Sequence, residues 1–209
     1  MHDPALTLYV DRRFSSPWAM FAFVALNEKA LPFSLETVDL DAGAARRPPF
    51  ASLAPTERVP LLLHGDFALS ESSAIVEYLD DTFGAPRYRP LLPTEARPRA
   101  LARQMQAWLR SDLQALRNER GTMTIFFTPV QTALSPQARA DADKLIHLAE
   151  RLVQGEHLFG QWCVADTELA LALMRLILNG HPVPRKLEQY AAAQWARESV
   201  RLWLAQPRD

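Results

Sequence analysis

The spacing of apolar residues along the chain predicts two regions of different structure. In the first region, short apolar runs rich in strand-forming residues alternate with segments of helical spacing. The runs "LTLYV" and "FSLETVDL" predict two strands, and "RVPLLLHGDFAL" predicts two more, joined at His64, Gly65 and Asp66. With the helices between them, the predicted order is strand, helix, strand, two-stranded hairpin and helix.

Two helices complete this first region. One begins near Pro17, a residue that helices tolerate in their first turn. Its predicted buried face consists of Trp18, Phe21, Ala22, Ala25 and Leu26. The other begins within "LSESSAIVEYL", where Ile75, Val76 and Leu79 recur at helical spacing.

A Pro-rich stretch separates the two regions. "GAPRYRPLLP", residues 84–93, continues neither a helix nor a strand, so we expect a linker between a domain over 1–83 and an all-helical domain over 94–209. The first long helix of the second domain is indicated by a stripe of Leu101, Met105, Trp108, Leu109, Leu113 and Leu116. A further helix is predicted in "LSPQARADADKLIHLAERLV". Another is predicted in "ADTELALALMRLIL", whose apolar residues on nearly every side indicate that this helix is fully buried. Two shorter helices are predicted near the end of the chain.

The composition argues against several classes of protein. The 209 residues carry 23 Lys and Arg against 24 Asp and Glu, a balance that does not suit a nucleic-acid-binding surface. Cys163 is the single cysteine, which leaves neither a disulfide framework nor a CxxC redox pair. The sequence has no apolar run of transmembrane length, and "MHDPALTLYV" is unlike a signal peptide. We therefore expect a cytoplasmic protein without a nucleic-acid or membrane partner.

Motifs for metals and nucleotides are also missing from the sequence. The five histidines show no metal-ligand spacing, and neither a GxSxG elbow nor a GxGxxG loop is present. We expect no metal and no nucleotide cofactor. In "CVAD", Cys163 stands three residues before Asp166, which is the spacing of a helix capping box. Cys163 is therefore predicted to be structural rather than reactive.

Four polar residues, Ser70, Glu71, Ser72 and Ser73, stand where the last predicted strand is followed by a helix. One interpretation is structural: Ser70 or Ser72 caps the helix, and Glu71 and Glu77 complement its dipole. The other is a binding site, because free amides at a helix start attract a carboxylate and an adjacent Glu attracts an ammonium group. A zwitterionic amino-acid group would satisfy both, and this segment alone leaves both interpretations open.

Four short motifs, in their order and spacing, resemble the glutathione S-transferase family over nearly the whole chain. They are "SSPW" after the first strand, "RVP" before the third, "ESSAI" at the helix after the hairpin, and "FGQWCVADTELAL" in the helical half. At closer range the chain is similar to the bacterial YfcF-type branch of that family. The resemblance implies an α/β thioredoxin-like N-terminal domain followed by an all-α C-terminal domain, with glutathione as co-substrate. It also implies a homodimer, in which the first domain packs against the partner's long helix from Thr94.

The resemblance further implies where glutathione binds. A cis Val59–Pro60 bond would present the Val59 N–H and carbonyl to the peptide, although an ordinary turn proline is the alternative. Glu71 would bind the ammonium group of the γ-glutamyl end, while Ser72 and the helix amides would bind its carboxylate. Arg58 and Arg47 are weaker candidates for the glycyl carboxylate, since surface arginines are commonly solvated.

The resemblance places the reactive sulfur near "FSSPW", at the start of the first helix. A hydroxyl donor and a helix N-terminus together stabilise a thiolate. Alignment by position with the family favours Ser16, immediately before Pro17, as this hydroxyl donor, and Ser15 is the runner-up. The alternative is that both serines only cap the helix. Trp18 and Trp108 are weak candidates for the pocket of an electrophilic co-substrate, because aromatic residues on a helical face more often belong to a core.

Several functions are compatible with this pattern. The leading one is a glutathione transferase that conjugates or reduces small electrophiles in a detoxification reaction, and a glutathione-dependent peroxidase is an alternative. A non-catalytic binding or regulatory protein of the same fold is a second alternative, but the presence of Val59, Pro60, Glu71 and Ser72 favours the enzyme. An isomerase is disfavoured, since "FSSPW" lacks the Ser-Cys motif of the zeta-like class.

Overall fold

The sheet of the first region is the frame for the candidate glutathione-binding residues and for Ser15 and Ser16. A computed structural model describes residues 5–208 of the chain. The strands are β1 Leu6–Asp11, β2 Phe33–Val38, β3 Leu61–His64 and β4 Phe67–Ser70. They form one sheet in the order β2-β1-β3-β4, in which β1 is parallel to β2 and antiparallel to β3, and β4 is antiparallel to β3. The predicted strands and hairpin are confirmed.

Three helices accompany the sheet: α1 Pro17–Glu28, α2 Phe50–Leu53 and α3 Ser72–Thr82. α1 packs against β1 and α3, and every residue of α1 from Ala19 to Leu26 is buried. α2 and a 3₁₀ turn over Ala44–Arg46 were not predicted. Elements of three or four residues are too short to show a periodic pattern of apolar positions.

The second half of the described chain is helical, as predicted. Its helices are α4 Ala96–Ser111, α5 Gln114–Glu119, α6 Met123–Phe126, α7 Pro136–Leu152, α8 Val164–Ile177, α9 Arg185–Trp195 and α10 Glu198–Leu204. The stripe from Leu101 to Leu116 was predicted to be one helix, and this was wrong. Leu113 adopts a left-handed conformation with φ 60° and separates α4 from α5.

α8 forms the centre of the helical core. All its residues from Val164 to Leu176 are buried, which agrees with a segment that is apolar on nearly every side. α4, α7 and α9 pack against α8. The helical half therefore has a hydrophobic core of its own.

The chain divides into two compact units, and the division differs from the expected one. Among the described residues, 5–91 and 202–208 form the first unit, and Leu92–Arg201 form the second. The expected linker, 84–93, contains no helix or strand, but its larger part belongs to the first unit. The end of the chain was assigned to the helical domain. It belongs to the first unit because Trp203 is fully buried against Phe14 and Phe23.

Candidate active site

The strand register brings the predicted binding residues to one edge of the sheet. Leu61, at the start of β3, lies opposite both Tyr9, near the end of β1, and Ser70, at the end of β4. The β1–α1 loop, the turn before β3 and the start of α3 therefore meet at this edge, together with the N-termini of α1 and α3. We call this edge, formed by residues 11–17, 58–61 and 70–73, the site edge.

Ser16 is the N-cap residue of α1. Its hydroxyl oxygen accepts a hydrogen bond from the Ala19 N–H at 3.3 Å. A hydroxyl can accept and donate at the same time, and the Ser16 hydroxyl donates to no other described residue. Its proton is therefore available to a ligand atom at the helix N-terminus. Capping and the predicted contact with a thiolate are compatible roles for Ser16.

Asp11, at the end of β1, holds the loop that carries both serines. Its carboxylate accepts hydrogen bonds from the Ser15 N–H at 2.6 Å, the Ser15 hydroxyl at 2.8 Å and the Ser16 N–H at 3.0 Å. The Ser15 proton is therefore already donated, which leaves Ser16 as the better donor to a ligand. Sequence reasoning missed Asp11, because a carboxylate followed by two arginines has the pattern of a solvated charge. Its place at the end of a strand, just before "FSSPW", was the available signal.

The Val59–Pro60 peptide bond is cis, as the resemblance implied. The N–H and the carbonyl of Val59 form no hydrogen bond with another described residue. Both groups lie directly before β3 at the site edge. An extended peptide can pair with such free backbone groups.

The N-cap residue of α3 makes no capping hydrogen bond with its side chain. Glu71 occupies the N-cap position with a φ of 71°, which is strained for a residue other than glycine. The interpretation in which Ser70 or Ser72 caps this helix is therefore wrong. The Glu71 side chain is exposed and pairs with no described residue, whereas Ser72 is the first helical residue and only 2% exposed. A free carboxylate beside a helix N-terminus without a side-chain cap is the arrangement that a zwitterion needs.

Comparison with known families decides the class of protein. Residues 15–82 match the model of the glutathione S-transferase N-terminal domain, and residues 95–207 match the model of the C-terminal domain. The chain belongs to the glutathione S-transferase family.

Individual relatives agree with this family. Glutathione S-transferase theta-1 of Homo sapiens is 31% identical over 176 residues, which cover 78% of this chain and 72% of that one. A probable maleylacetoacetate isomerase of Vibrio cholerae is 29% identical over 183 residues, covering 82% and 80%. A crystal structure of a glutathione transferase homologue from Burkholderia, with bound glutathione, has a TM-score of 0.82 and 43% identity over 98% of this chain and 99% of that one. None of these three identifies the YfcF-type branch, which stays a prediction.

The two arginines proposed for glutathione differ in their surroundings. Arg58 is exposed and directly precedes Val59 at the site edge. The Arg47 side chain donates hydrogen bonds to the carbonyls of Ala42 and Gly43. Arg47 therefore stabilises a turn of its own segment. Of the two arginines, Arg58 is the better placed to contact an anionic group of a ligand at the site edge.

The two tryptophans each have a packing role within their own unit. Trp18 is half-buried, and its ring lies edge-on to Phe21 at 5.9 Å. Trp108 packs against the core of the helical unit, and its Nε1 donates to Asp112 at 2.8 Å. Their contribution to an electrophile pocket stays a prediction.

Cys163 has the structural role that the sequence predicted. It forms a capping box with Asp166 at the start of α8, in which the Cys163 N–H donates to the Asp166 carboxylate at 2.9 Å. Burial raises the pKa of the Cys163 thiol. The side chain is therefore protonated at neutral pH and a poor nucleophile.

Neither a metal centre nor a membrane span is found among residues 5–208. No group of three or more His, Cys, Asp or Glu side chains in this range could hold a metal ion. No helix in the same range is long and apolar enough to cross a bilayer.

Proposed function

We propose that the protein is a glutathione transferase whose first unit binds glutathione at the site edge and holds its sulfur as a thiolate beside Ser16. One observation carries the proposal. The Glu71 carboxylate, the N-terminus of α3 and the Ser16 hydroxyl occupy the same edge of the sheet. The Burkholderia homologue with bound glutathione makes this tripeptide the first ligand to test.

The charges of glutathione match this edge. Its γ-glutamyl end carries an ammonium group, which Glu71 attracts, and a carboxylate, which the N-terminal amides of α3 attract. Its peptide backbone can pair with the N–H and carbonyl of Val59. Bound in this way, glutathione directs its sulfur towards the start of α1.

Catalysis needs this sulfur as an anion. A free thiol has a pKa of about 8.5, so only a few per cent is ionised at neutral pH. Donation by Ser16 and the dipole of α1 favour the charged form, and together they lower the thiol pKa by about one to two units. The thiolate then attacks an electrophilic carbon with its electron pair, and the leaving group departs with the pair of the broken bond.

The electrophile decides the reaction class. The same thiolate can attack the O–O bond of an organic peroxide, which keeps a glutathione-dependent peroxidase as an alternative. The likeness to the Vibrio isomerase adds cis–trans isomerisation to the reactions to assay. Glutathione binding without turnover in all three assays would favour the non-catalytic alternative.

We expect the active form to be a cytoplasmic homodimer. Sedimentation of the purified protein tests whether it is a dimer.

Replacing Ser16 by alanine tests the thiolate contact. We expect Ser16→Ala to raise the pKa of bound glutathione by about one unit and to lower kcat/KM at neutral pH about tenfold. The measurement is the ultraviolet absorbance of the thiolate against pH, with conjugation kinetics alongside. Ser135→Ala is the matched control, since Ser135 caps α7 through the Ala138 N–H at 3.2 Å. An effect confined to Ser15→Ala would transfer the role to Ser15.

Replacing Glu71 by glutamine tests the ammonium contact. A hydrogen bond to a charged group contributes about 1.5–3 kcal/mol, so we expect the Kd for glutathione to rise about 10- to 100-fold. Calorimetric titration measures this Kd. Glu36→Gln, at an exposed position of β2, removes the same charge elsewhere in the first unit. Equal affinities of the two variants would contradict the assignment of Glu71.

A further inference from the structure

The first turn of α1 has few backbone donors left for a ligand. A helix N-terminus ordinarily presents unpaired N–H groups, and these groups make it an anion site. Here residue 17 is a proline, and four of the five N–H groups between residues 15 and 20 are already hydrogen-bonded within the chain. Two of the four donate to Asp11 and two to Ser16. An anionic ligand at this helix start therefore depends largely on side-chain donors.

Asp11 supplies the negative charge at this turn. It is 3% exposed, and its carboxylate accepts from the Ser15 N–H at 2.6 Å and the Ser16 N–H at 3.0 Å. Its backbone carbonyl accepts from the Phe14 N–H at 3.0 Å. Phe14 has a φ of 49°, which is strained for a residue other than glycine. Asp11 therefore holds a strained turn directly before α1.

The hydroxyl groups of the two serines differ in what they can give to a ligand. An ionised carboxylate only accepts hydrogen bonds, so the Ser15 hydroxyl, 2.8 Å from the Asp11 carboxylate, has to donate its proton there. The Ser16 hydroxyl accepts from the Ala19 N–H at 3.3 Å, and this bond leaves its own proton for a ligand. Since the two side chains are chemically identical, the difference between them is imposed by Asp11.

We propose that Asp11 assigns the thiolate contact to Ser16, because its carboxylate takes the proton of Ser15 and fixes the backbone N–H groups of both serines. The inference rests on the proposed function, since it concerns the sulfur of glutathione bound at the site edge. Asp11 is a positioning residue in this account, because it acts on the sulfur through the two serines. Asparagine at this position removes the constraint: its Nδ2 donates to the Ser15 oxygen, and the Ser15 proton becomes available to the sulfur.

The pKa of glutathione bound to the full chain, measured from thiolate absorbance against pH, tests this assignment. Ser15→Ala and Ser16→Ala are each introduced into the unmodified protein and into Asp11→Asn. In the unmodified protein we expect Ser16→Ala to raise the thiol pKa by about one unit and Ser15→Ala by about a fifth of a unit. In Asp11→Asn we expect about half a unit from each, because both serines then share the contact. Each shift is taken within its own background, so the direct effect of removing the Asp11 charge cancels.

Three further backgrounds serve as controls for the role of the carboxylate. Asp11→Glu keeps a group that only accepts hydrogen bonds, so the larger effect of Ser16→Ala should persist there. Asp11→Ala removes the carboxylate without adding a donor, and it should make the two serine variants similar, as Asp11→Asn does. Asp39→Asn removes a charge that pairs with Arg12 at 3.1 Å and binds neither serine, so Ser16→Ala should keep its several-fold larger effect.

The outcomes separate this inference from the proposed function. A several-fold larger effect of Ser16→Ala in both Asp11→Asn and Asp11→Ala overturns the inference alone, because Ser16 would then be favoured independently of Asp11. Equal effects of the two serine variants in the unmodified protein, or a larger effect of Ser15→Ala, also overturn it. If the unmodified protein takes up no glutathione, the proposed function and the inference fail together.

Discussion

Replacing Lys29 by methionine is expected to lower the free energy of unfolding by about 3–5 kcal/mol, the usual cost of leaving a buried charge without its partner. The Lys29 side chain is fully buried and its ammonium group lies 3.1 Å from the Asp80 carboxylate. The same group donates to the carbonyls of Phe83 at 2.8 Å and Arg89 at 2.9 Å. Methionine fills a similar volume, but it leaves Asp80 charged and buried and both carbonyls without this donor.

Urea denaturation of the purified variants measures this effect. Lys144→Met is the matched control, since Lys144 pairs with Asp112 while its side chain is 54% exposed. Exposed pairs contribute at most about 1 kcal/mol, so we expect a small change there. Equal losses of stability in the two variants would contradict the account of Lys29. The contacts of Lys29 also explain why residues 84–91 belong to the first unit rather than to a free linker.

Replacing Asp166 by alanine is expected to have a similarly large effect in the helical unit, again about 3–5 kcal/mol. Asp166 is fully buried and accepts hydrogen bonds from the Cys163 N–H at 2.9 Å, the Leu158 N–H at 2.8 Å and the Tyr190 hydroxyl at 2.8 Å. Each buried donor that loses its partner costs about 1–3 kcal/mol, and local rearrangement recovers part of the sum. The carboxylate therefore joins α8 to the segment before it and to α9.

Thermal denaturation followed by circular dichroism checks this expectation. Asp141→Ala is the control, because Asp141 accepts a single N–H, from Leu116 at 3.1 Å, and is half-buried, whereas Asp166 is fully buried. We expect Asp166→Ala to lower Tm several times more than Asp141→Ala. A Tm of Asp166→Ala equal to that of the control would show that the capping box and the Tyr190 contact add little to stability.

The elements that the sequence predicted best are those with a local cause. Strands β1 to β4 follow from short runs of strand-forming residues, and α1 begins where Pro17 and a capping Ser16 place its start. α8 was predicted from burial on all sides together with the "CVAD" capping box. In each case the residues that specify the element lie within or directly beside it.

The features that the sequence did not reveal depend on contacts between distant segments or on single backbone angles. The return of Trp203 to the first unit is a contact with Phe14 and Phe23, far away in the chain, and no periodicity encodes it. The break at Leu113 rests on one left-handed residue that is not glycine. Asp11 was missed because only the folded loop brings the two serines to its carboxylate.

Calorimetric titration of the unmodified protein with glutathione tests the central claim most directly. The account predicts saturable binding of one tripeptide per chain, with a Kd in the millimolar range or below. The absence of saturable heat with glutathione at millimolar concentrations would contradict it.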